Sequence, residues 1–341
     1  MPTPRALSTG FSHGHRGEYR LPARADRPTL PRLRNPRRPM KFKPSIKRIK
    51  CGGLAAVELR TAALRLVVVT AKGPRIACFG RPGGDNLLLW GPGKYKRKSW
   101  ELFGGHRLWI TRPGADEPEE TYSPDNRPCA VEVGKHSFTV TAPTDPVHLT
   151  QRGFTITALA PDRLQLDHFM VNQGNMLWSG GLWAVTSTVP IGGAQYTVPL
   201  GDGSRWDYAT VVAVRTWGDD QGAQTFDDPR FAFTADSFRL DPVSGLENKR
   251  MIKADAGVMA MHVPAAGLLF AKHAPYQPDG SYPLGTNTAL YVGPKSFMVE
   301  METMGPVATV KPRHALRHVE TWVLRDAKSA PSATALRKLF T

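Results

Sequence analysis

Cysteine is scarce: the chain has only Cys51, Cys78 and Cys129, far apart and without a CxxC pair. That excludes a disulfide framework and a zinc knuckle, and Cys78, in RIACFG, and Cys129, opening a strand, read as small core residues. No apolar run approaches the ~18 residues that span a bilayer, and no apolar h-region follows the basic N-terminus, so a soluble, cytoplasmic protein without a membrane partner is expected. The sequence lacks GxGxxG, a phosphate loop, a GxSxG elbow, a kinase motif and HExxH, which argues against nucleotide chemistry and calls for no cofactor and no metal. A fixed-period repeat is missing too, excluding a propeller or solenoid. Helical periodicity is confined to SATALRKLF near the C-terminus.

Acidic residues are also few, 29 against 45 Lys and Arg, giving +16. The imbalance is uneven, because residues 1–39 carry nine Arg and only Glu18 and Asp26. This Pro/Arg-rich stretch has no apolar period and is expected to be a disordered basic extension. Nucleic acid is not an expected partner; the tail is the one feature that points to it, since phosphate contacts by Arg need no fold. A single domain is expected over 40–341, with Met40 directly before its first strand.

What is present is strand after strand. With 41% hydrophobic residues, 32 Gly and 30 Pro, the chain reads as short apolar runs interrupted about every ten residues, the rhythm of an all-β fold with two large packed antiparallel sheets, a β-sandwich. AAVELRT, LRLVVVT, PRIACFG, HRLWITR, RLQLDHFMVNQ and LWAVTSTVPI are clear strands, and GVMAMHV, GLLFAKHA, SFMVEMET and HVETWVLR continue the habit. Hairpin turns are expected at Gly134-Lys135 and at Arg152-Gly153.

Several polar residues interrupt these strands. In GGHRLW, followed by TYSPDN, two glycines permit close backbone approach, and His106 and Arg107 point to opposite faces, one of them toward a cleft, with Trp109 two residues on. In SFMVEMETMGP, Glu300 and Glu302 share a face with Met298, roughly 6.6 Å apart along the strand, a separation that suits paired acid and base work and equally suits solvated glutamates. His168 lies on a face with Leu164, Leu166 and Met170, as a core histidine or a ligand contact. In HVETW, His318, Glu320 and Trp322 share a face, either chelating or bracing the last core strand. Trp178 and Trp183 flank Gly180-Gly181 and could offer indole platforms to a sugar ring. Lys272 and Asn287 are candidate donors to sugar hydroxyls near Glu300 and Glu302.

GPRIACFG with GGDNLL, GGHRLW with TYSPDN, VNQG with LWAV, LLFAKHAPY to YPLGTN, FMVEMETMGP and HVETWVL follow one another in an order that resembles a bacterial family of the galactose mutarotase-like (aldose 1-epimerase-like) superfamily, over most of residues 55–325. The resemblance implies a large β-supersandwich holding a carbohydrate in a cleft. It further implies Glu302, before Thr303 and Pro306, as the base at the anomeric hydroxyl, His106 as a sugar contact, and Trp183 where the epimerases place their acid histidine, so that His106 or His168 would substitute. Catalytic Glu302 and His106, with Arg107, Trp109, His168, Trp183, Lys272, Asn287 and Glu300 binding substrate, form the expected site of an isomerase. The alternative is a non-catalytic carbohydrate-binding protein, for an acidic sugar or polysaccharide. Oligomeric state is not legible.

Overall fold

The structure, a computed structural model, describes residues 42–97, 100–111, 125–201, 209–214 and 226–341. The basic extension over 1–39 and the first four residues of TYSPDN lie outside the described residues. Among the described residues the chain runs as β1 (Ser45–Cys51), β2 (Leu54–Arg60), β3 (Arg65–Val69), β4 (Arg75–Gly80), β5 (Trp90–Arg97), β6 (Trp100–Thr111), β7 (Ala130–Val133) and β8 (Ser137–Thr141). Then follow β9 (Thr150–Ala160), β10 (Arg163–Asn172), β11 (Trp178–Thr188), β12 (Gln195–Pro199), β13 (Val211–Val214), β14 (Phe231–Phe233), β15 (Ser237–Leu240) and β16 (Asn248–Ile252). The last strands are β17 (Val258–Val263), β18 (Leu268–His273), β19 (Thr288–Val292), β20 (Val299–Met304), β21 (Ala308–Val310) and β22 (Ala315–Asp326), before a short helix, α1 (Ala333–Arg337). Ser332 caps that helix by accepting from the Ala335 amide, as Ser does at an N-terminus. No helix among the described residues is long and apolar enough to cross a membrane.

Two antiparallel sheets form the body. The twelve-stranded sheet has the order β1-β2-β3-β4-β6-β11-β20-β19-β16-β13, with β21 on β11 and β5 on β6; the ten-stranded sheet has the order β14-β15-β12-β17-β18-β22-β10-β9-β8-β7. This is the expected all-β sandwich. Their facing sides pack together, with Val57, Leu66 and Phe79 from the first sheet against Phe154, Leu166 and Trp322 from the second. Phe79, Phe270 and Trp322 meet at ring separations of 4.9–5.1 Å, inside the range where edge-on aromatic contacts add to burial. Each such buried apolar side chain contributes roughly 1.5–3 kcal/mol.

The turn expectations fared unevenly. Gly134 accepts its hairpin role, its amide bonding the Ser137 carbonyl. Arg152-Gly153 is not a turn: β9 runs straight through it. A Cβ on Gly153 would lie 2.4 Å from the Val140 carbonyl oxygen and 2.6 Å from the Phe169 ring, so this glycine makes room for a cross-strand aromatic. Gly104 and Gly105 do allow close approach. Both have positive φ, 77° and 71°, and side chains there would meet the carbonyls of Leu89 and Ile76 at 2.5 and 2.3 Å. The strand emerging from this pair carries His106 and Arg107.

Candidate functional site

Directly paired residues in adjacent strands point to the same side of a sheet, so register assigns every candidate a face. On β6, β11 and β20, Arg107 pairs with Val185 and Val185 with Glu302, while His106 pairs with Thr186 and Thr186 with Met301. Arg107, Trp109, Trp183, Ser187, Glu300 and Glu302 therefore share the face turned away from the second sheet. Lys249 joins them, because Glu300 pairs with Tyr291 and Tyr291 with Lys249.

This outer face holds a compact cluster. Lys249 Nζ donates to both carboxylate oxygens of Glu302, at 3.0 and 2.8 Å, and Trp183 Nε1 donates to Oε2 at 2.8 Å. Arg107 donates through Nη2 to Glu300 Oε1 at 3.0 Å and through Nη1 to the Ser187 hydroxyl at 3.0 Å, and Ser187 donates to the same Glu300 oxygen at 2.7 Å. The guanidinium lies 4.1 Å over the Trp109 ring and the ammonium 4.7 Å over the Trp183 ring, both within cation–π reach; the two indoles meet edge-on at 5.3 Å. Trp109 Nε1 donates to Asp125, which also pairs with Arg75. All four central charges are buried, Glu300 being the most exposed at 7%. Burial raises the Glu302 pKa, against the opposing pull of Lys249 and the Trp183 N–H. Burial likewise lowers Arg75 to about 10 despite Asp125. Arg107 Nε has no hydrogen-bond partner among the described residues, so a buried donor remains on this face.

The other candidates face the core between the sheets. His106 Nε2 meets His168 Nε2 at 2.8 Å, and His106 Nδ1 meets the Thr186 hydroxyl at 2.9 Å. Lys272 Nζ contacts Glu320 Oε1 at 2.7 Å, the Thr186 hydroxyl at 2.9 Å and the Met301 carbonyl at 3.0 Å. His168 Nδ1 donates to the His318 carbonyl at 2.9 Å, which fixes the protons: a carbonyl only accepts, so neutral His168 accepts at Nε2, His106 donates from Nε2, and His106 Nδ1 accepts from Thr186. His318, Thr303, Glu320 and Trp322 close the network. Burial holds His106 and His168 well toward the neutral form and lowers His318 to about 3. Burial would raise Glu320, but Lys272 holds it far below the usual carboxylate range.

His106, His168 and Glu320 each bring a ligand atom within 4.8 Å of the others, a donor set suited to zinc. All three atoms are already hydrogen-bonded, and a metal ion would meet the Lys272 ammonium beside Glu320. His318 and Glu320 of HVETW both meet the Thr303 hydroxyl of the facing sheet, an arrangement of bracing rather than chelation.

The structure brings together Glu302, Glu300, Arg107, Trp109 and Trp183. It places the others elsewhere. His106 and His168 lie on the opposite side of the sheet from Glu302, because the GGH entry turns the imidazole inward and Arg107 outward. Lys272 reaches the same strand from behind, at the Met301 carbonyl. Asn287 is spent on backbone, exchanging two hydrogen bonds with Ala254 at 2.7 and 2.9 Å. Lys249 was missed altogether; its signal was a period-2 alternation in NKRMI, where Lys249 and Met251 share a face within a wholly buried strand.

No protein-family model matches the sequence, and no curated protein matches it. Solved structures do. The Slr1438 protein from Synechocystis sp. PCC 6803 superposes with a TM-score of 0.55 at 13% identity, covering 85% of this chain and 100% of that one. A candidate aldose 1-epimerase from Escherichia coli K12 gives 0.54 at 12% identity, over 79% and 98%. A galactose mutarotase-like protein from Lactobacillus casei ATCC 334 gives 0.54 at 10% identity, over 79% and 100%. At these identities the likeness shows the fold, which is galactose mutarotase-like.

Proposed function

We propose that the chain is a carbohydrate-handling protein whose ligand is held at the outer face of the twelve-stranded sheet, around Glu302. The observation that supports this most is the joint placement of Glu302, Lys249, Glu300, Arg107 and the indoles of Trp109 and Trp183 on one face, from four different strands. Carboxylates and cations are the groups that orient sugar hydroxyls, and indoles take the apolar face of the ring. The names of the mutarotase-like neighbours point to the same ligand class. The charges here are two of each sign, so the chain's basic excess is not carried by this quartet; an uncharged sugar suits it better than a uronate.

The test is thermal unfolding of the full chain in glucose, galactose and glucuronate, since a ligand that binds only the native state raises Tm. A rise with an uncharged sugar that is lost in Arg107→Met supports the reading. No rise with any sugar removes it. Non-catalytic binding and isomerisation at the anomeric carbon both fit this site, and polarimetry on freshly dissolved α-anomers separates them.

A further inference from the structure

We propose that the first two strands, β1 and β2, form a phosphate-contacting surface for duplex nucleic acid, independent of the carbohydrate reading above. The chain's charge is concentrated at this end. Residues 1–60 hold fifteen of the 45 Lys and Arg but only three of the 29 Asp and Glu, namely Glu18, Asp26 and Glu58, which is +12 of the total +16. Residues 61–341 carry thirty cations against 26 acids and are close to neutral. The nine Arg of the extension lie outside the described residues, but Lys43, Lys47, Arg48, Lys50 and Arg60 are placed, and all five are exposed.

β1 is the edge strand of the twelve-stranded sheet, and β20 with Glu302 lies six places along the strand order, roughly 29 Å away at about 4.8 Å per strand. Pairing with β2 along its whole length holds β1 in place and sets its faces: Lys47 pairs with Glu58 on the outer side, while Arg48 pairs with Val57 and Lys50 with Ala55 on the side of the second sheet. There Arg48 Nη2 also donates to the Val131 carbonyl of β7 at 3.4 Å. Cations therefore flank an open edge on both sides. Glu58 is the one acid of the two strands, and Arg65 takes its carboxylate at 2.6 Å, which leaves the exposed cations in excess. Lysines on an edge also deter strand addition, but that role asks nothing of Arg60 on β2 or of Lys43 ahead of β1. No aromatic residue stands between Lys43 and Arg60, so bases have nothing to stack on, and the contacts are to phosphates without sequence preference. Large apolar side chains are not exposed over this stretch, so it offers nothing to enter a bilayer. A duplex, with one charge per about 1.7 Å of axis, is the polyanion that suits such a surface.

The experiment is fluorescence anisotropy of a labelled, mixed-sequence DNA duplex titrated with the full chain between about 50 and 200 mM salt, beside the same titration of Lys43→Gln/Lys47→Gln/Lys50→Gln. Wild type is expected to bind with a Kd of about 10⁻⁴–10⁻⁶ M near physiological salt, its logarithm rising linearly with the logarithm of the salt concentration. The triple variant is changed only at exposed positions, and its urea midpoint is checked against wild type. It is expected to lose about 10-fold or more in affinity and to flatten the salt slope by about 2–3. No binding by the wild type overturns the proposal. So does a triple variant with unchanged affinity and slope, which assigns all the binding to the segment before β1. Tighter binding of heparin or of phosphatidylserine vesicles than of the duplex at the same salt overturns the choice of nucleic acid. The sugar-dependent rise in Tm is expected to be the same in both proteins, so failure here leaves the carbohydrate reading standing.

Discussion

His106 and Glu302 lie on opposite faces of the same sheet: through Thr186 and Val185 on the intervening strand, one projects into the core and the other away from it. Any chemistry at Glu302 must therefore draw its partners from the outer face, where Lys249, Trp183 and Arg107 stand.

A pair of neighbouring substitutions separates the two faces. His106→Ala opens a core cavity and strands His168 and Thr186, for a loss of ~2–4 kcal/mol, yet should leave any sugar-dependent rise in Tm unchanged. Arg107→Met should reduce that rise. Chemical denaturation and thermal shift on both variants check this; a His106→Ala that folds but no longer responds to sugar would contradict the face assignment.

Lys272 and Glu320 form an ion pair with both side chains wholly buried. Removing one partner leaves an uncompensated charge, so Lys272→Met should cost ~3–5 kcal/mol, and Lys272→Met/Glu320→Gln should recover much of it. Urea unfolding of the two variants gives the comparison.

Stability should fall steeply in acid. His106, His168 and His318 have folded pKa values below the ordinary histidine range, so between those values and about 6.5 the unfolded chain binds more protons, and stability rises with pH there. On lowering pH from 7, each such group removes up to ~1.4 kcal/mol per pH unit while it stays neutral in the folded chain and charges in the unfolded one. Glu320, depressed by Lys272 against its burial, adds to the loss once pH falls through about 4.3. Unfolding free energy measured from pH 7 to 4 should fall with net proton uptake on unfolding; a flat profile would mean the imidazoles are charged in the native state.

The architecture was legible because alternation and glycine-proline punctuation are local signals, and β20 even declared its two faces, Val299, Met301 and Thr303 inward against Glu300 and Glu302 outward. Which face of β6 met the cleft was not legible: His106 and Arg107 alternate, and only pairing with β11 decides between them. Gly153 misread as a turn shows the same limit, since its reason is the Phe169 ring on the neighbouring strand. Lys249 was hidden because a lysine in an isolated strand looks solvated until Glu302, 53 residues later, appears against it. Gly153→Ala makes that lesson measurable, with an expected cost of ~1–3 kcal/mol from overpacking, read by urea unfolding.

The most direct measurement follows the indole N–H resonances of Trp183 and Trp322, identified by Trp→Phe substitution, as glucose or galactose is titrated into the full chain. Trp183 donates to Glu302 on the outer face and Trp322 to Glu320 in the core. The expected result is that the Trp183 resonance moves with saturation while that of Trp322 stays in place. Movement of Trp322 alone, or of neither while the sugar raises Tm, would contradict ligand binding at the Glu302 face.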